Sequence, residues 1–192
     1  MEQEMLIETT SYHGTGEKSA KEIIKGNFTV SKFPTFPSDL GYGVYTYVDI
    51  ENHKIKFVDN AISNAKKYVE RFKEERWKND SLSIIEIDCR FDTGSLLNFN
   101  DFEVYNSFLR NYQQVFNAAL TALPGYREGK AKRRKQYDGV VLEYLIKHHL
   151  IGEPDVIIMD TYTDFKNVKS NFNNGTEFVI RNTSVITDKK LI

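Results

Sequence analysis

The sequence has a single cysteine, Cys89, which excludes an internal disulfide framework and suits a reducing compartment. Its expected role is that of a small buried apolar residue. No apolar stretch approaches the roughly 20 residues needed to cross a bilayer. The opening segment Met1 to Glu8 is acidic instead of basic and then apolar, so neither an anchor nor a secretory signal is legible. The expectation is cytoplasmic action with no membrane partner. An excess of charge of one sign is also lacking, since 26 Lys and Arg face 27 Asp and Glu for a formal net charge of −1. No whole-molecule field draws the chain to nucleic acid, and any such attraction must be local. Internal repeats and low-complexity tracts are absent too.

What is present is the composition of a folded domain. Hydrophobic residues make up 40% and charged residues 28% of 192 residues, enough for one sizeable core, so the expectation is a single domain over residues 1–192. Strand-period and helix-period segments alternate, which predicts a mixed α and β chain. Met5 to Tyr12 reads as a first strand, followed by a His-Gly-Thr-Gly turn and a short helix through Ala20, Ile23 and Ile24 that ends near Gly26. Pro34 and Pro37 make Phe33 to Asp39 a surface loop leading to the Tyr45 strand. A helix is predicted over 59–77 and a well-buried, mid-sheet strand over Leu82 to Cys89. Asn100 and Glu103 resemble a capping box ahead of a helical stripe from Phe102 to Leu120. Residues 121–136 read as an exposed loop, and Asp138-Gly139 as a turn. The run from Val140 to Ile146 is ambiguous between strand and helix. Short strands at Asp155 to Met159 and from Glu177, taken as the final strand, complete the pattern.

Three pieces each place a polar side chain at the mouth of a strand: Tyr12-His13-Gly14-Thr15, Leu40-Gly41-Tyr42-Gly43-Val44-Tyr45 and Thr176-Glu177-Phe178-Val179-Ile180. In this order they resemble the motifs of the ADP-ribosyltransferase superfamily, in its His-Tyr-Glu branch, which includes the poly(ADP-ribose) polymerases and diphtheria toxin. Ala65-Lys66-Lys67-Tyr68 falls where that family places a small residue and a second tyrosine. The resemblance covers most of the chain. It implies an α+β fold with split central antiparallel β-sheets flanked by helices, an ADP-ribosyltransferase-like fold.

Breaking the bond from nicotinamide to ribose develops positive charge on the sugar, as in glycoside hydrolysis, and a nearby carboxylate stabilises it. Glu177 has the chemistry for that and for orienting or deprotonating an acceptor. By resemblance, His13 would bond the adenosine ribose, the Gly14 backbone would meet the nicotinamide carboxamide, and Thr15 would add a hydroxyl. Tyr45 and Tyr68 would clamp the nicotinamide ring, with Ala65 beside them. Glu177, His13 and Tyr45 are thus the expected catalytic set, NAD the co-substrate, and no metal is implied.

Gly175 stands where the arginine-modifying branch has a second glutamate, which argues against arginine as acceptor. The first strand has no arginine, which disfavours the Arg-Ser-Glu branch. His148-His149 lacks partners at metal-ligand spacing. Arg127, Lys130, Lys132, Arg133, Arg134 and Lys135, flanked by Tyr126 and Tyr137, form the one strong basic cluster, either a solvated loop or an acceptor-binding patch for RNA or DNA phosphates. The expected activity is transfer of a single ADP-ribose to a macromolecule, protein or nucleic acid, as a toxin or defence effector held in check by an antitoxin or immunity protein. NAD glycohydrolysis and a silent binding module are the alternatives.

Overall fold

The computed structural model describes residues 5–50, 56–72, 80–127, 130–165 and 170–192, with the side chains of Lys130 and Ala131 outside the description. In chain order the elements are β1 (Leu6–Gly16), α1 (Glu17–Lys25), β2 (Val44–Val48), α2 (Ala61–Arg71), β3 (Leu82–Asp92) and β4 (Leu96–Asn98). They continue with α3 (Phe102–Leu120), α4 (Lys130–Arg133), α5 (Asp138–Lys147), β5 (Val156–Thr161), β6 (Gly175–Ile180) and β7 (Ile186–Leu191). The mixed α and β class read from the sequence is the class observed.

The seven strands form one sheet in the order β4-β5-β6-β2-β1-β3-β7. Every neighbour is antiparallel except the β4/β5 pair. The expected split into separate sheets is not observed: β1 and β2 stay hydrogen-bonded and join all seven strands into one sheet, though their pairing is short. β1 pairs with β3 at eleven positions, from Leu6 to Gly16, but with β2 at only two, Ser11 with Val48 and Tyr12 with Tyr47. Past Tyr12 the two strands part, while β2 stays paired with β6 from Val44 to Val48.

Side-chain alternation sends successive residues to opposite faces of this sheet. One face is covered by α1, whose Ala20 packs with Ile85, Ile87, Phe91, Phe178 and Ile180. On the other, α2 sets Ala61 and Ala65 against Tyr47 and Tyr12. Further along that face, α5 sets Leu142 and Ile146 against Ile157 and Val179. The far side of α5, through Val141 and Leu145, packs on Ala119 and the aromatic stripe of α3. Cys89 is buried at 2% exposure, as expected. Burial and the neighbouring Asp88 carboxylate push its thiol up to about 12, so it stays protonated.

Several local expectations are corrected. The His-Gly-Thr-Gly segment is not a turn but the last part of β1, paired to β3 along its whole length. The α3 cap is Asp101, whose Oδ1 accepts from the amides of Glu103 and Val104 at 2.9 and 3.0 Å. Asn100 instead ties to Asp160 of β5 through bonds of 2.7 and 3.1 Å. Asp138-Gly139 opens α5 and is not a turn. That helix is apolar nearly all round because it is wedged between sheet and α3, which is why its run showed no helical period. The 121–136 segment contains a 3₁₀ turn at Leu123–Gly125 and the short α4. The final strand is β7, a charged edge strand without an apolar alternation to betray it. The predicted helix over 59–77 is observed as α2, and residues 73–77 lie outside the described residues.

Candidate active site

The parting of β1 from β2 makes the site. Continuing their register would set Gly14 opposite Tyr45, but no strand pairing occurs there. The His13 side chain fills the gap, with Nδ1 2.8 Å from the Tyr45 carbonyl oxygen. A carbonyl can only accept, so Nδ1 carries the proton and donates. Burial lowers the His13 pKa from its ordinary value, while the bond to Tyr45 acts in the opposite sense. The neutral ring therefore keeps an Nε2 lone pair, an acceptor suited to a hydroxyl group. Phe28 holds the ring edge-on, with centroids 5.3 Å apart.

Glu177 enters from β6 by strand register. It lies opposite Tyr47 of β2, and Tyr47 lies opposite Tyr12 of β1, so the three share one face and one row. Tyr45, two residues before Tyr47, is a diagonal neighbour of Glu177 on the same face. The Tyr45 hydroxyl accepts from the Leu40 amide at 2.8 Å and donates to the Gly41 carbonyl at 3.0 Å. Both valences of the phenol are spent on the incoming loop, which leaves the ring face to line the site.

Glu177 keeps a sliver of accessible surface but is surrounded by protein. Burial raises its pKa from 4.5 to about 7, and the carboxylate of Asp39 adds to the rise. Thr163 and Thr161 act against it. The Thr161 hydroxyl is buried without a hydrogen bond, so of the two threonines Thr163 is the better placed to matter. The Thr163 hydroxyl shares a 2.8 Å bond with Tyr47 Oη, and Asn174 holds the Thr163 backbone through two bonds of 2.9 Å.

One pocket is lined by Tyr12, His13, Gly14, Tyr45, Thr46, Tyr47, Ala65, Tyr68 and Glu177. Its cavity volume is about 10 Å³, room for about one water molecule. Of the residues expected from the sequence, His13, Gly14, Tyr45, Ala65, Tyr68 and Glu177 meet here. Thr15 does not: it is buried at 2% exposure and lies outside the lining. Gly14 has a packing reason of its own, because a Cβ there would lie 2.3 Å from the Ala65 carbonyl oxygen of α2.

Comparison with protein-family models, with curated proteins and with solved structures finds no match to this chain.

Sequence reasoning gave no role to Tyr12, Thr46, Tyr47, Asp39 or Thr163. Tyr47 had a signal, since it stands one strand period after Tyr45; Asp39 and Thr163 are brought in by loops and had none. The basic cluster lies apart from the pocket lining, with Arg127, Arg133, Arg134 and Lys135 exposed, and the side chain of Lys130 is outside the described residues. Lys132 reaches back to the Tyr126 carbonyl at 3.0 Å. No described helix is long and apolar enough to cross a membrane.

Proposed function

We propose that this pocket binds the nicotinamide end of NAD and that the protein transfers ADP-ribose to a macromolecular acceptor, as the resemblance to the His-Tyr-Glu ADP-ribosyltransferases implies. The observation that carries the reading is the meeting of His13, Tyr45 and Glu177, drawn from three distant segments, around a common cavity. The donor set also suits the substrate: a hydroxyl acceptor at His13 Nε2, aromatic faces at Tyr45 and Tyr68, and a carboxylate at Glu177.

In the reaction the bond from ribose C1′ to the pyridinium nitrogen breaks, and its electron pair leaves with neutral nicotinamide. Positive charge is left on the sugar, and ionised Glu177 stabilises it. The acceptor's lone pair then forms the new bond at C1′, and its proton passes to the Glu177 carboxylate or to water. A substrate cation beside Glu177 favours its ionised form, lowering a pKa that burial holds near 7 in the unliganded protein. A cavity of about 10 Å³ is too small for a nicotinamide ring, so binding requires a lining ring to move. Tyr68 is the one to do so, because at 40% exposure it is the most exposed of the four lining tyrosines.

The test is incubation with NAD labelled in its adenylate half, together with separate protein, RNA and DNA pools. Label on one pool, lost in Glu177→Gln while NAD binding persists, is the expected result. Free ADP-ribose as the only product would make the protein a glycohydrolase at the same site. NAD binding without turnover would make it a silent binding module, and full activity in Glu177→Gln would remove the carboxylate from the mechanism.

A further inference from the structure

The cationic segment is not an isolated surface feature. Residues 127–135 hold six Lys and Arg against one Glu, while the rest of the chain sets its remaining 20 cations against 26 acids. Among the described residues, none makes an ion pair with Arg127, Arg133, Arg134 or Lys135. Exposed cations outnumber acids in this segment and repel one another, an arrangement that an anionic partner relieves.

This segment is built onto the loop that delivers Tyr45. The Arg127 amide donates to the Pro34 carbonyl at 2.8 Å, and the Tyr126 ring meets Phe33 and Phe36 edge-on at 5.3 and 5.4 Å. Phe36 is buried beneath, but Phe33 remains 61% exposed at the base of the cationic stretch. The same loop continues to Asp39, whose carboxylate feels the positive field of Arg134 on one side and acts on Glu177 on the other. The cations and the exposed Phe33 ring are thus tied to the loop that runs through Asp39 to Tyr45 of the pocket.

Regularly spaced phosphates need a row of cations, and an exposed ring beside such a row is a platform for an unstacked base. A duplex keeps its bases stacked and offers nothing to Phe33; an acidic protein surface gains from the cations but not from the ring. We propose that Phe33 with Arg127, Arg133, Arg134 and Lys135 binds a single-stranded polynucleotide and presents one of its bases to the pocket as the ADP-ribose acceptor. The acceptor clause rests on the transferase reading above; the binding clause does not. In the transfer, a base nitrogen or oxygen forms the bond to C1′ as nicotinamide leaves, and the proton it loses goes to Glu177 or solvent.

The experiment is fluorescence anisotropy of the full chain, without NAD, with labelled single-stranded oligothymidylate and oligouridylate. A duplex and a polyglutamate peptide of equal length serve as competitors. Expected is preference for a single strand over both. Arg133→Ala/Arg134→Ala/Lys135→Ala should weaken binding at least tenfold and flatten its salt dependence by about two in log–log slope, at about 0.7 for each phosphate no longer neutralised. Phe33→Ala should weaken single-strand binding about fivefold or more, within the range for loss of one base stack. Equal binding of the polyglutamate peptide, or unchanged affinity in the triple variant, would overturn polynucleotide binding by this cationic segment, the ridge beside Phe33, in favour of a protein acceptor or none. Equal duplex affinity would remove Phe33 from it. Circular dichroism of each variant confirms that the fold is retained. A second arm adds labelled NAD to the bound oligonucleotide. Label on the strand supports both clauses; strand binding without NAD consumption leaves the ridge standing and sinks the transferase reading; NAD consumption without strand binding does the reverse.

Discussion

Glu143 of α5 and Arg181, one residue past β6, hold each other through paired contacts, Nη1 to Oε1 and Nη2 to Oε2, the latter at 3.1 Å. The same two side chains grip the Gly41-Tyr42 loop. Glu143 Oε1 accepts from the Tyr42 amide at 2.7 Å, and Arg181 Nη1 donates to the Tyr42 carbonyl at 3.0 Å. Gly41 sits over this pair with φ +78°, and a Cβ there would meet Glu143 Oε1 at 2.3 Å. The pair thus fixes the loop whose backbone in turn fixes the Tyr45 hydroxyl.

Removing one member of this pair should be costly, because the side chains are only 7% and 13% exposed and the survivor would be a buried, unpaired charge. Arg181→Ala is expected to destabilise the fold by about 3 kcal/mol or more. Replacing both, Glu143→Gln with Arg181→Met, should recover part of that loss. Urea unfolding checks both, and a loss under about 1 kcal/mol for Arg181→Ala would show that the pair does not hold the loop.

The pH dependence of turnover should follow Glu177. Its carboxyl has to ionise to stabilise a cation, and its pKa in the free protein is about 7, so kcat/KM for NAD should rise with pH through about 7. His13, whose pKa burial moves down from its ordinary value, should add no falling limb. A profile flat from about pH 6 to 8 would contradict the assignment.

Stability should run the opposite way. A carboxyl whose folded pKa is raised contributes fully below its unfolded value of 4.5, and that contribution is lost as pH rises through about 7. The span corresponds to about 3 kcal/mol, an order-of-magnitude figure. Glu177→Gln should therefore unfold at higher temperature than the parent at pH 8 and show little difference near pH 4.5. Thermal melts at the two pH values decide it; a variant that melts lower at pH 8 would show that Glu177 is stabilised by its partners instead of strained by burial.

Gly14→Ala should damage fold and site together. The added methyl would meet the α2 backbone at Ala65 and the side chain of Val69, and a helix backbone cannot step aside without carrying Tyr68 with it. A loss of about 1–3 kcal/mol is expected, as for other overpacked interiors. Weaker NAD binding, measured by calorimetry, should accompany it. Full stability with normal binding would mean that α2 packs less tightly on β1 than these distances imply.

The elements with strong local patterns were legible in the sequence: the first strand, the aromatic stripe of α3, the β-branched run of β3. So were the residues His13, Tyr45 and Glu177, each carried by a short motif. The edge strands were not: β4 is only three residues long, too short to show a period, and β7 has one neighbour and a wet surface and needs no apolar alternation. Nor was the state of the Val140 run, since a helix buried on two sides has no polar face to set a period.

The sequence by itself determined which side chains were chemically equipped for the site. Tertiary structure alone decided that they meet, through pairings such as Tyr47 with Glu177, 130 residues apart, and through the early parting of β1 from β2. It also decided the working state of each group. The lowered pKa of His13 comes from burial and the raised pKa of Glu177 from burial and the Asp39 carboxylate, and local sequence carries no record of what will lie across the sheet.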